Sequence, residues 1–473
     1  NSNRVGTADS DTVFINTDDD KVWTGYKNVS SQEDIVGAAV KDDGVITISY
    51  WTTDRHDQAY LTPLIEEYNK TNSDNIYIDY QVYADNYSQM LDLAFSTDTA
   101  PDVFKLSGTD PLEVQVDEKK MLLDLSPYMT EEYKARFWDG AFVQGINSWG
   151  DGIYSLPFTA SACRLFYNQD LLDRVGISAP PKTLKELVDD ATLVTKQLSG
   201  EGIYGIAGNY KSAMSAVMRS IDPVVQVSGG TCYGFDFKNG KYDFSCIYHI
   251  SHGLFFLLQL FREMYSTGVA FPGSESLDID PLRTQFAAGN IAFYFSLSHA
   301  EPGVYQSQFP TDINWNCCQI PSLSGNTDGV QNLWFGGSDK AINASTKHPD
   351  EAWKVMEFLH SDEVMGPYYT AGLGTVMIKS AVEGAEPPAS IETMPDLAIG
   401  ANDQNWPIRP AISIEGEDYS TVAVQCIFGL KDIDQAISEL NDRYNNAYDK
   451  SVADGAKRIV YPNFTAKNQD TSV

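Results

Sequence analysis

Short apolar runs that alternate with amphipathic segments predict an α/β protein. Val45–Trp51 is a β-branched and aromatic run of the kind found in buried strands, and a helix is predicted from Gln58 to about Asn69. A second strand is predicted over Asn75–Tyr83, a helix over Asn86–Ser96, and a third strand, entered through a proline, over Ala100–Phe104. This alternation is typical of an open α/β sheet, which places ligand-binding groups at the carboxyl ends of its strands.

The stretch Gly150–Leu187 carries the most detailed local signals. A strand running past Pro157 is predicted there, then a second strand over Cys163–Tyr167. A helix is predicted to begin at Asp170 and to stop at Gly176, because glycine tolerates the left-handed conformation of many helix ends. Thr183 is predicted to cap the next helix, with Glu186 three residues later as its capping-box partner.

The second half of the chain continues the alternation. Its longest apolar run, Gly253–Phe261, is shorter than the roughly 20 residues that a membrane-spanning helix needs, so it predicts a buried helix. Asn239-Gly240 predicts the turn of a hairpin. The other predicted elements are strands at Ile203–Ala207 and Lys340–Asn343 and helices at Leu254–Thr267, His348–Leu359 and Asp432–Tyr448.

Length and charge restrict the class of protein. A chain of 473 residues is too long for one small core, so two or more domains or lobes are expected. Its 33 basic and 65 acidic side chains give a net charge of −32. This balance argues against a nucleic-acid partner, which requires basic patches, and against docking on anionic lipid through a basic face. It fits the solubility charge of a secreted or surface protein.

The polar N-terminus and the cysteines give weaker signals. Residues 1–40 are interpreted as a polar tail or a wrap along a lobe edge. Asp18-Asp19-Asp20 lacks the alternating ligands, the glycine and the closing glutamate of an EF-hand, although the sequence leaves a structural metal open. Cys232 and Cys246 flank the predicted hairpin, and the sequence leaves open whether they form a disulfide or remain buried thiols.

The sequence contains no recognisable catalytic motif. G-x-S-x-G, H-E-x-x-H, P-loop and G-x-G-x-x-G patterns are absent, and the six histidines show no metal-ligand spacing. A glycosidase needs two carboxylates a few ångströms apart, but no motif marks such a pair among the 65 acidic residues. We therefore interpret the chain as a binding protein rather than an enzyme, and we predict no cofactor.

Six motifs occur in a characteristic order. They are Tyr87, Leu91 and Ala94 followed by Pro101-Asp102-Val103-Phe104; Leu122–Leu125; Tyr167–Asp170 with Gly176-Ile177 and Pro180–Thr183; Phe286–Phe293; Pro349 with Ala352-Trp353 and Phe358-Leu359; and the helix Asp432–Tyr448. In this order they resemble the extracellular solute-binding proteins of ABC importers, in the sugar-binding branch (family 1, maltose-binding-protein-like). The resemblance covers roughly residues 45 to 450.

This resemblance implies a two-lobed periplasmic-binding-protein-like fold (type II), with two mixed sheets flanked by helices and a ligand cleft between the lobes. Lobe 1 would comprise 41–157 and 297–340, and lobe 2 would comprise 158–296 and 341–473. The lobes would close on the ligand by a hinge at the crossings and present it to an ABC transporter permease. The resemblance also implies a monomer that is extracellular, either a cell-surface lipoprotein or free in a periplasm.

The implied ligand is a carbohydrate, and an oligosaccharide in particular. The C–H faces of a sugar stack on aromatic rings, and its hydroxyls need planar polar partners. Candidate ligand-binding residues follow predicted strands or lie at the crossings: Trp51, Asp54, His56, Ser107, Asp110, Phe158, Ser161, Arg164, Asn209, Tyr210, Ser298, His299, Trp334, Gly336, Trp406 and Arg409. For Phe158 a core position, and for Trp406 a loop anchor, fits the sequence equally well.

Other functions remain open at this point. A carbohydrate-active enzyme would consume its ligand, and a surface lectin would bind without lobe closure. A non-sugar solute such as a peptide is a further alternative within the binding-protein class. The sequence does not define the sugar, its linkage, its length or the permease.

Overall fold

The structure is a computed structural model. It describes residues 22–23, 26–27, 44–83, 86–107, 110–245, 253–298, 300–325, 331–335, 339–398, 403–404, 406–407 and 409–462. The chain divides into two compact units. The smaller unit contains the described part of Asn1–Lys105 together with Ser345–Phe358, and the larger contains Leu106–Ala344 together with Leu359–Val473. The lobe boundaries expected from the sequence remain a prediction.

The smaller unit is built on a parallel sheet. Its strands are β3 (Ile46–Thr52), β4 (Ile76–Val82) and β5 (Val103–Lys105), with β3 in the middle. Preceding them are β1 (Val22–Trp23) and β2 (Tyr26–Lys27), which pair antiparallel. Helices Gln58–Thr71, Tyr87–Ser96 and Pro349–Leu359 accompany the sheet, the last residue of the third being counted with the larger unit. These strands and helices confirm the predicted alternation.

A half-buried aspartate links β3 to the start of β5, which explains the Pro-Asp-Val-Phe motif. The carboxylate of Asp102 accepts hydrogen bonds from the Ser49 backbone N–H at 2.9 Å and from its hydroxyl at 3.0 Å. The same carboxylate accepts a hydrogen bond from the Thr346 hydroxyl at 2.6 Å. Asp102 thus ties both strands to the returning segment of the smaller unit.

The larger unit is organised around β8 (Thr159–Asn168), whose ten residues are all buried. The strands of this unit are β6 (Ser148–Trp149), β7 (Gly152–Ile153), β8, β9 (Tyr204–Ile206), β10 (Phe235–Asp236), β11 (Lys241–Tyr242), β12 (Ile291–Leu297), β13 (Trp315–Cys318), β14 (Gln331–Phe335), β15 (Lys340–Ile342), β16 (Thr375–Val376) and β17 (Asp403–Gln404). The main sheet has the order β17–β14–β8–β12–β9, and β13 and β16 also pair with β8.

One strand replaces the two that the sequence predicted around Pro157. β8 begins after Pro157 and continues without a break through Cys163 to Asn168. All ten residues of this stretch, including the polar ones, are buried in one continuous strand, so the apparent division in the sequence has no structural counterpart. The predicted hairpin at Asn239-Gly240 is confirmed, since β10 and β11 pair antiparallel around it.

Helices of the larger unit pack on both sides of its sheet and supply most of its core. The long ones are Leu184–Leu198, Gly253–Tyr265 and Ile433–Ala453. The others are Glu131–Lys134, Gln169–Val175, Ala213–Arg219, Ile221–Val227, Ile279–Ala287, Glu301–Gly303, Asp362–Thr370, Lys379–Glu383, Ala389–Thr393 and Tyr419–Ile427. The apolar run in Gly253–Tyr265 predicts a buried helix, and the structure buries one face of it. Phe256, on the other face, is 50 % exposed.

The predicted signals of the central stretch are found in the structure. Gly176 ends the helix Gln169–Val175 with a φ of +81°, and the Thr183 side chain accepts a hydrogen bond from the Glu186 backbone N–H at 2.9 Å. The Glu186 carboxylate completes the cap by accepting from the Lys182 backbone N–H rather than from that of Thr183. A helix N-cap of this kind contributes about 1 kcal/mol.

Among the described residues, no helix is long and apolar enough to cross a membrane. The five described cysteines, Cys163, Cys232, Cys317, Cys318 and Cys426, carry free thiols. Cys246, His249 and His252 lie outside the described residues, so the pairing of Cys232 with Cys246 stays open.

Candidate functional site

The larger unit contains a cavity of about 300 Å³. This volume is at the lower end of the range of small-molecule pockets, which is roughly 300–1,000 Å³. The cavity is lined by Trp138, Ser298, Pro302, Gly303, Gln306, Tyr369, Thr370, Ala371, Gly372, Gly374, Thr375, Val376, Val382, Pro388, Ala389, Ser390, Ile391, Leu397 and Ala398. Among these described residues none carries a charged side chain.

Two partly exposed aromatic rings belong to the lining. Trp138 follows the short helix Glu131–Lys134, and its indole N–H donates to the carbonyl of Val376 at 3.1 Å, which fixes the ring against β16. Tyr369 lies near the end of the helix Asp362–Thr370. Burial raises the pKa of the Tyr369 phenol, so its hydroxyl remains a neutral donor and acceptor. Such rings offer apolar faces next to polar edges.

A glycine-containing turn brings main chain to the cavity. Gly372 has a φ of +71°, the left-handed region in which a side chain would be strained. At Gly374 a Cβ atom would lie 3.1 Å from Thr159 Cγ2 and 3.2 Å from the Tyr368 hydroxyl, so only glycine fits without displacement. The chain then enters β16, whose Thr375 pairs with Ala160 of β8.

A buried carboxylate fixes the part of the lining formed by Pro302 and Gly303. Glu301 is fully buried and accepts hydrogen bonds from the Arg283 guanidinium, from the Tyr294 hydroxyl at 2.6 Å and from the Ser296 hydroxyl at 2.8 Å. The Tyr294 hydroxyl also meets that of Tyr305 at 2.6 Å. Since Glu301 directly precedes the lining residues Pro302 and Gly303, this network determines where their backbone lies.

A buried arginine fixes another wall, formed by Leu397 and Ala398. Arg164 donates from Nε to the carbonyl of Asp396 at 2.7 Å and from Nη2 to the carbonyl of Ala398 at 3.1 Å. Its two terminal nitrogens also pair with the two carboxylate oxygens of Asp403, at 3.2 and 3.0 Å. The Asp396 carboxyl is partly buried, and burial raises its pKa although Arg164 opposes the shift.

The smaller unit carries a second cluster of aromatic and polar groups, at the carboxyl ends of its parallel strands. Trp51 near the end of β3 meets Tyr83 beyond the end of β4, with ring centroids 5.0 Å apart. Asp54, which is buried, forms an ion pair with Lys105 at the end of β5 at 2.7 Å. The Lys105 ammonium also donates to the Thr53 hydroxyl at 2.6 Å. This is the sheet edge at which open α/β sheets bind ligands.

Comparison with known proteins defines the family. The profile of the family described as bacterial extracellular solute-binding protein matches residues 52–366, which is more than half of the chain. The chain belongs to this family. The resemblance inferred from the six motifs is thus confirmed.

Solved structures agree on the fold of this solute-binding protein. The ligand-free RafE of Streptococcus pneumoniae superimposes with a TM-score of 0.68 at 18% identity, covering 86% of this chain and 99% of RafE. The galacto-N-biose/lacto-N-biose I-binding protein of an ABC transporter of Bifidobacterium longum, in complex with lacto-N-biose, gives 0.61 at 16% identity, over 88% of this chain and 98% of that one. The predicted two-lobed α/β solute-binding fold is therefore confirmed.

Curated relatives match over a shorter length. A protein of Brucella abortus named as a binding protein is 26% identical over 239 residues, which is 50% of this chain and 53% of that protein. The chain therefore spans about half the length of the curated relatives it matches.

Several predicted ligand-binding residues of this solute-binding protein are held in internal contacts. Phe158 is buried beneath the Lys340 ammonium, which lies 3.1 Å from its ring centroid. Tyr210 is buried and packs edge-on against Tyr265 at 4.9 Å, and Arg409 lies over the Tyr233 ring at 4.0 Å. Phe158 and Tyr210 are therefore parts of the core, whereas Arg409 is half-buried, and the role of all three toward a ligand stays a prediction.

The remaining predicted residues are dispersed. Ser298 lines the cavity, while Ser161 is buried at the centre of β8, opposite Trp334 in register. Asn209 donates to Ser215 at 3.1 Å, Asp110 pairs with Lys119, and Trp406 packs partly buried against the main core. Ser107 lies two residues after the end of β5 and is half-buried. His299 and Gly336, and the side chains of His56 and Trp334, lie outside the described residues.

Sequence reasoning missed most of the cavity. Trp138, Tyr369 and the turn Gly372–Thr375 lie in or beside loops, where no periodicity marks them. The sequence signal that could have identified the turn is Gly372-Leu373-Gly374, two glycines that flank a single residue. Among the described residues no group of three or more His, Cys, Asp or Glu could hold a metal ion.

Proposed function

We propose that this protein binds a neutral carbohydrate, an oligosaccharide in particular, and delivers it to the permease of an ABC transporter. The observation that carries this proposal is the uncharged lining of the cavity in the larger unit, in a protein whose net charge is −32. A charged solute would need an opposite charge in the site, because burying an unpaired charge is costly. A sugar needs hydroxyl, amide and main-chain partners together with apolar ring faces.

The chemistry of the lining suits this class of ligand. Trp138 and Tyr369 offer ring faces for the C–H groups of a pyranose. Ser298, Gln306, Thr375 and the backbone of the glycine turn offer donors and acceptors for its hydroxyls. In the smaller unit, Trp51 and the Asp54–Lys105 pair offer the same combination of a ring and polar groups.

The relatives support the same class. RafE has been solved in complex with raffinose, and the Bifidobacterium longum protein in complex with lacto-N-biose. The latter serves an ABC transporter, which supports a permease as the partner of this chain. We propose that, as the sequence predicts, the lobes close on the sugar, that the protein works as an extracellular monomer without catalysis, and that a lipid anchors it to the cell surface or it is free in a periplasm.

The proposal is tested by calorimetric titration of the purified protein against maltotriose, raffinose and xylotriose, with chromatography of each mixture afterwards. We expect Kd values in the micromolar range or tighter for one of these sugars, with the sugar recovered intact. A shortened sugar would establish the enzyme alternative instead. Failure to bind any sugar would remove the carbohydrate proposal and leave the family and fold unaffected.

A substitution in the cavity then locates the site. Trp138→Ala should weaken binding by about 1–3 kcal/mol if the indole stacks on the sugar. Trp149→Ala is the matched control, because Trp149 lies in β6 outside the cavity lining and its indole N–H donates to Asp117 at 3.0 Å. Equal affinities for the two variants would place the sugar elsewhere. Trp51→Ala tests the cluster of the smaller unit in the same way.

A further inference from the structure

A buried arginine lies behind the part of the cavity wall formed by Leu397 and Ala398. Arg164 stands in β8, its residue is 2 % exposed, and it is not among the residues that line the cavity. Its two acceptor carbonyls, those of Asp396 and Ala398, are on either side of Leu397. The guanidinium therefore holds this three-residue stretch from behind.

The orientation of the guanidinium is itself fixed. The buried carboxylate of Asp403 accepts from both terminal nitrogens, in the fork geometry that gives Arg–carboxylate pairs their directionality. The carbonyl of Cys163 accepts a further hydrogen bond from Nη1 at 3.0 Å. Arg164 is thus anchored at the sheet, and its contacts with the wall among the described residues are hydrogen bonds to main-chain carbonyls.

The wall also has support that does not come from Arg164: a short turn, and the side chain of Leu397, which is buried in a core cluster with Phe166 and Tyr294. Leu397 donates its backbone N–H to the carbonyl of Met394 at 3.0 Å, and Ala398 donates to that of Pro395 at 3.1 Å. A 3₁₀ turn of three residues, Pro395–Leu397, is weak by itself because its hydrogen-bond geometry is poor. Packing of the Leu397 side chain does not fix the two carbonyls on either side of it, and those are the groups that Arg164 holds.

We propose that Arg164 is a positioning residue, which sets the affinity of the cavity for its ligand by holding the main chain at 396–398, without touching that ligand. This inference rests on the proposed function, because it assigns a role within the same cavity. It gives the residue a different task from the direct ligand contact that the sequence predicts.

The variants separate positioning from stability. Arg164→Met alone would leave the Asp403 carboxylate buried without its partner, so it is combined with Asp403→Leu. Asp403→Asn alone removes the charge but leaves the bonds from Arg164 to the two wall carbonyls. Arg262→Met is the matched control, since Arg262 also donates to two backbone carbonyls outside the cavity lining, that of Cys426 in the helix Tyr419–Ile427 and that of Lys431 after it.

Titration with the tightest-binding sugar of the panel is the first readout. The double variant should bind about tenfold more weakly than the wild type, the equivalent of roughly one lost hydrogen bond. Asp403→Asn and Arg262→Met should bind like the wild type even where their melting temperatures fall. Wild-type affinity in the double variant, or an equal loss in Arg262→Met, would overturn the proposal.

Amide hydrogen exchange of the ligand-free protein is the second readout, and it does not depend on any sugar. Peptides that cover 395–398 should exchange about tenfold faster in the double variant than in the wild type or in Arg262→Met. Unchanged exchange would show that Arg164 does not hold the wall and would overturn the proposal. If the wild type binds no sugar, the proposed function fails, and the exchange result still decides whether Arg164 holds the wall.

Discussion

Replacing the buried Glu301 by glutamine should destabilise the larger unit strongly. Glu301 Oε1 accepts from Arg283 and Ser296, and Oε2 accepts from Arg283 at 3.0 Å and from Tyr294 at 2.6 Å. A glutamine can present only one acceptor oxygen, so its amide N–H₂ group must face the Arg283 guanidinium or a hydroxyl. Removing one partner of a buried ion pair costs about 3–5 kcal/mol. Arg283 keeps a contact with Asp280 at 3.1 Å, so we expect the lower end, about 3 kcal/mol.

Urea unfolding followed by circular dichroism measures this loss as a lower midpoint at unchanged m-value. Glu201→Gln is the control, because Glu201 pairs with Arg174 on the surface, where both side chains are about half exposed. That variant should unfold at the wild-type midpoint. If Glu301→Gln cost less than about 1 kcal/mol, the carboxylate would not be the group that fixes the wall at Pro302 and Gly303.

Two further predictions concern other buried positions of the larger unit. Burial raises the pKa of Asp222 to about 7, so its carboxyl binds a proton more tightly in the folded protein than in the unfolded chain. The resulting stabilisation is complete below about pH 4 and is lost as the pH rises to about 7. Between about pH 4 and pH 7 the free energy of unfolding should therefore fall by about 4 kcal/mol more in the wild type than in Asp222→Asn. Denaturant titrations at several pH values measure this difference, and an equal fall in the two proteins would contradict the prediction. At Gly205 a Cβ would lie 2.0 Å from the Ala191 carbonyl oxygen, so Gly205→Ala should lower the free energy of unfolding by about 1–3 kcal/mol or more. Gly200→Ala is the control, because a Cβ there would have nothing within 4 Å, and thermal unfolding should show no loss of stability for it.

The order of strands and helices could be predicted from the sequence because each element has a strong local signal. The strand Ile46–Thr52, the cap at Thr183 and the glycine stop at Gly176 depend on neighbouring residues only. The hairpin at Asn239-Gly240 is local in the same sense. These signals retain their meaning wherever the segment lies in the fold.

The residues that line and support the cavity could not be predicted in this way, because their positions depend on partners far away in the sequence. An arginine inside the apolar strand Thr159–Asn168 is unusual enough to attract a functional interpretation. Its carboxylate partner, Asp403, is 239 residues further along the chain, and no local sequence pattern near either residue predicts the pair. Trp138 is likewise placed by a carbonyl of Val376, 238 residues away.

The central strand β8 has a consequence for the biogenesis of the protein. Its partners are β12, β13, β14 and β16, of which only the first starts before residue 300 and the last ends at Val376. A nascent chain that has emerged only through β8 therefore lacks every strand that pairs with this apolar segment. Such non-local pairing gives a high contact order and slow folding. The larger unit should reach its native state only after nearly all of the chain has left the ribosome, which leaves a long interval in which an export or holding factor can engage the exposed strand.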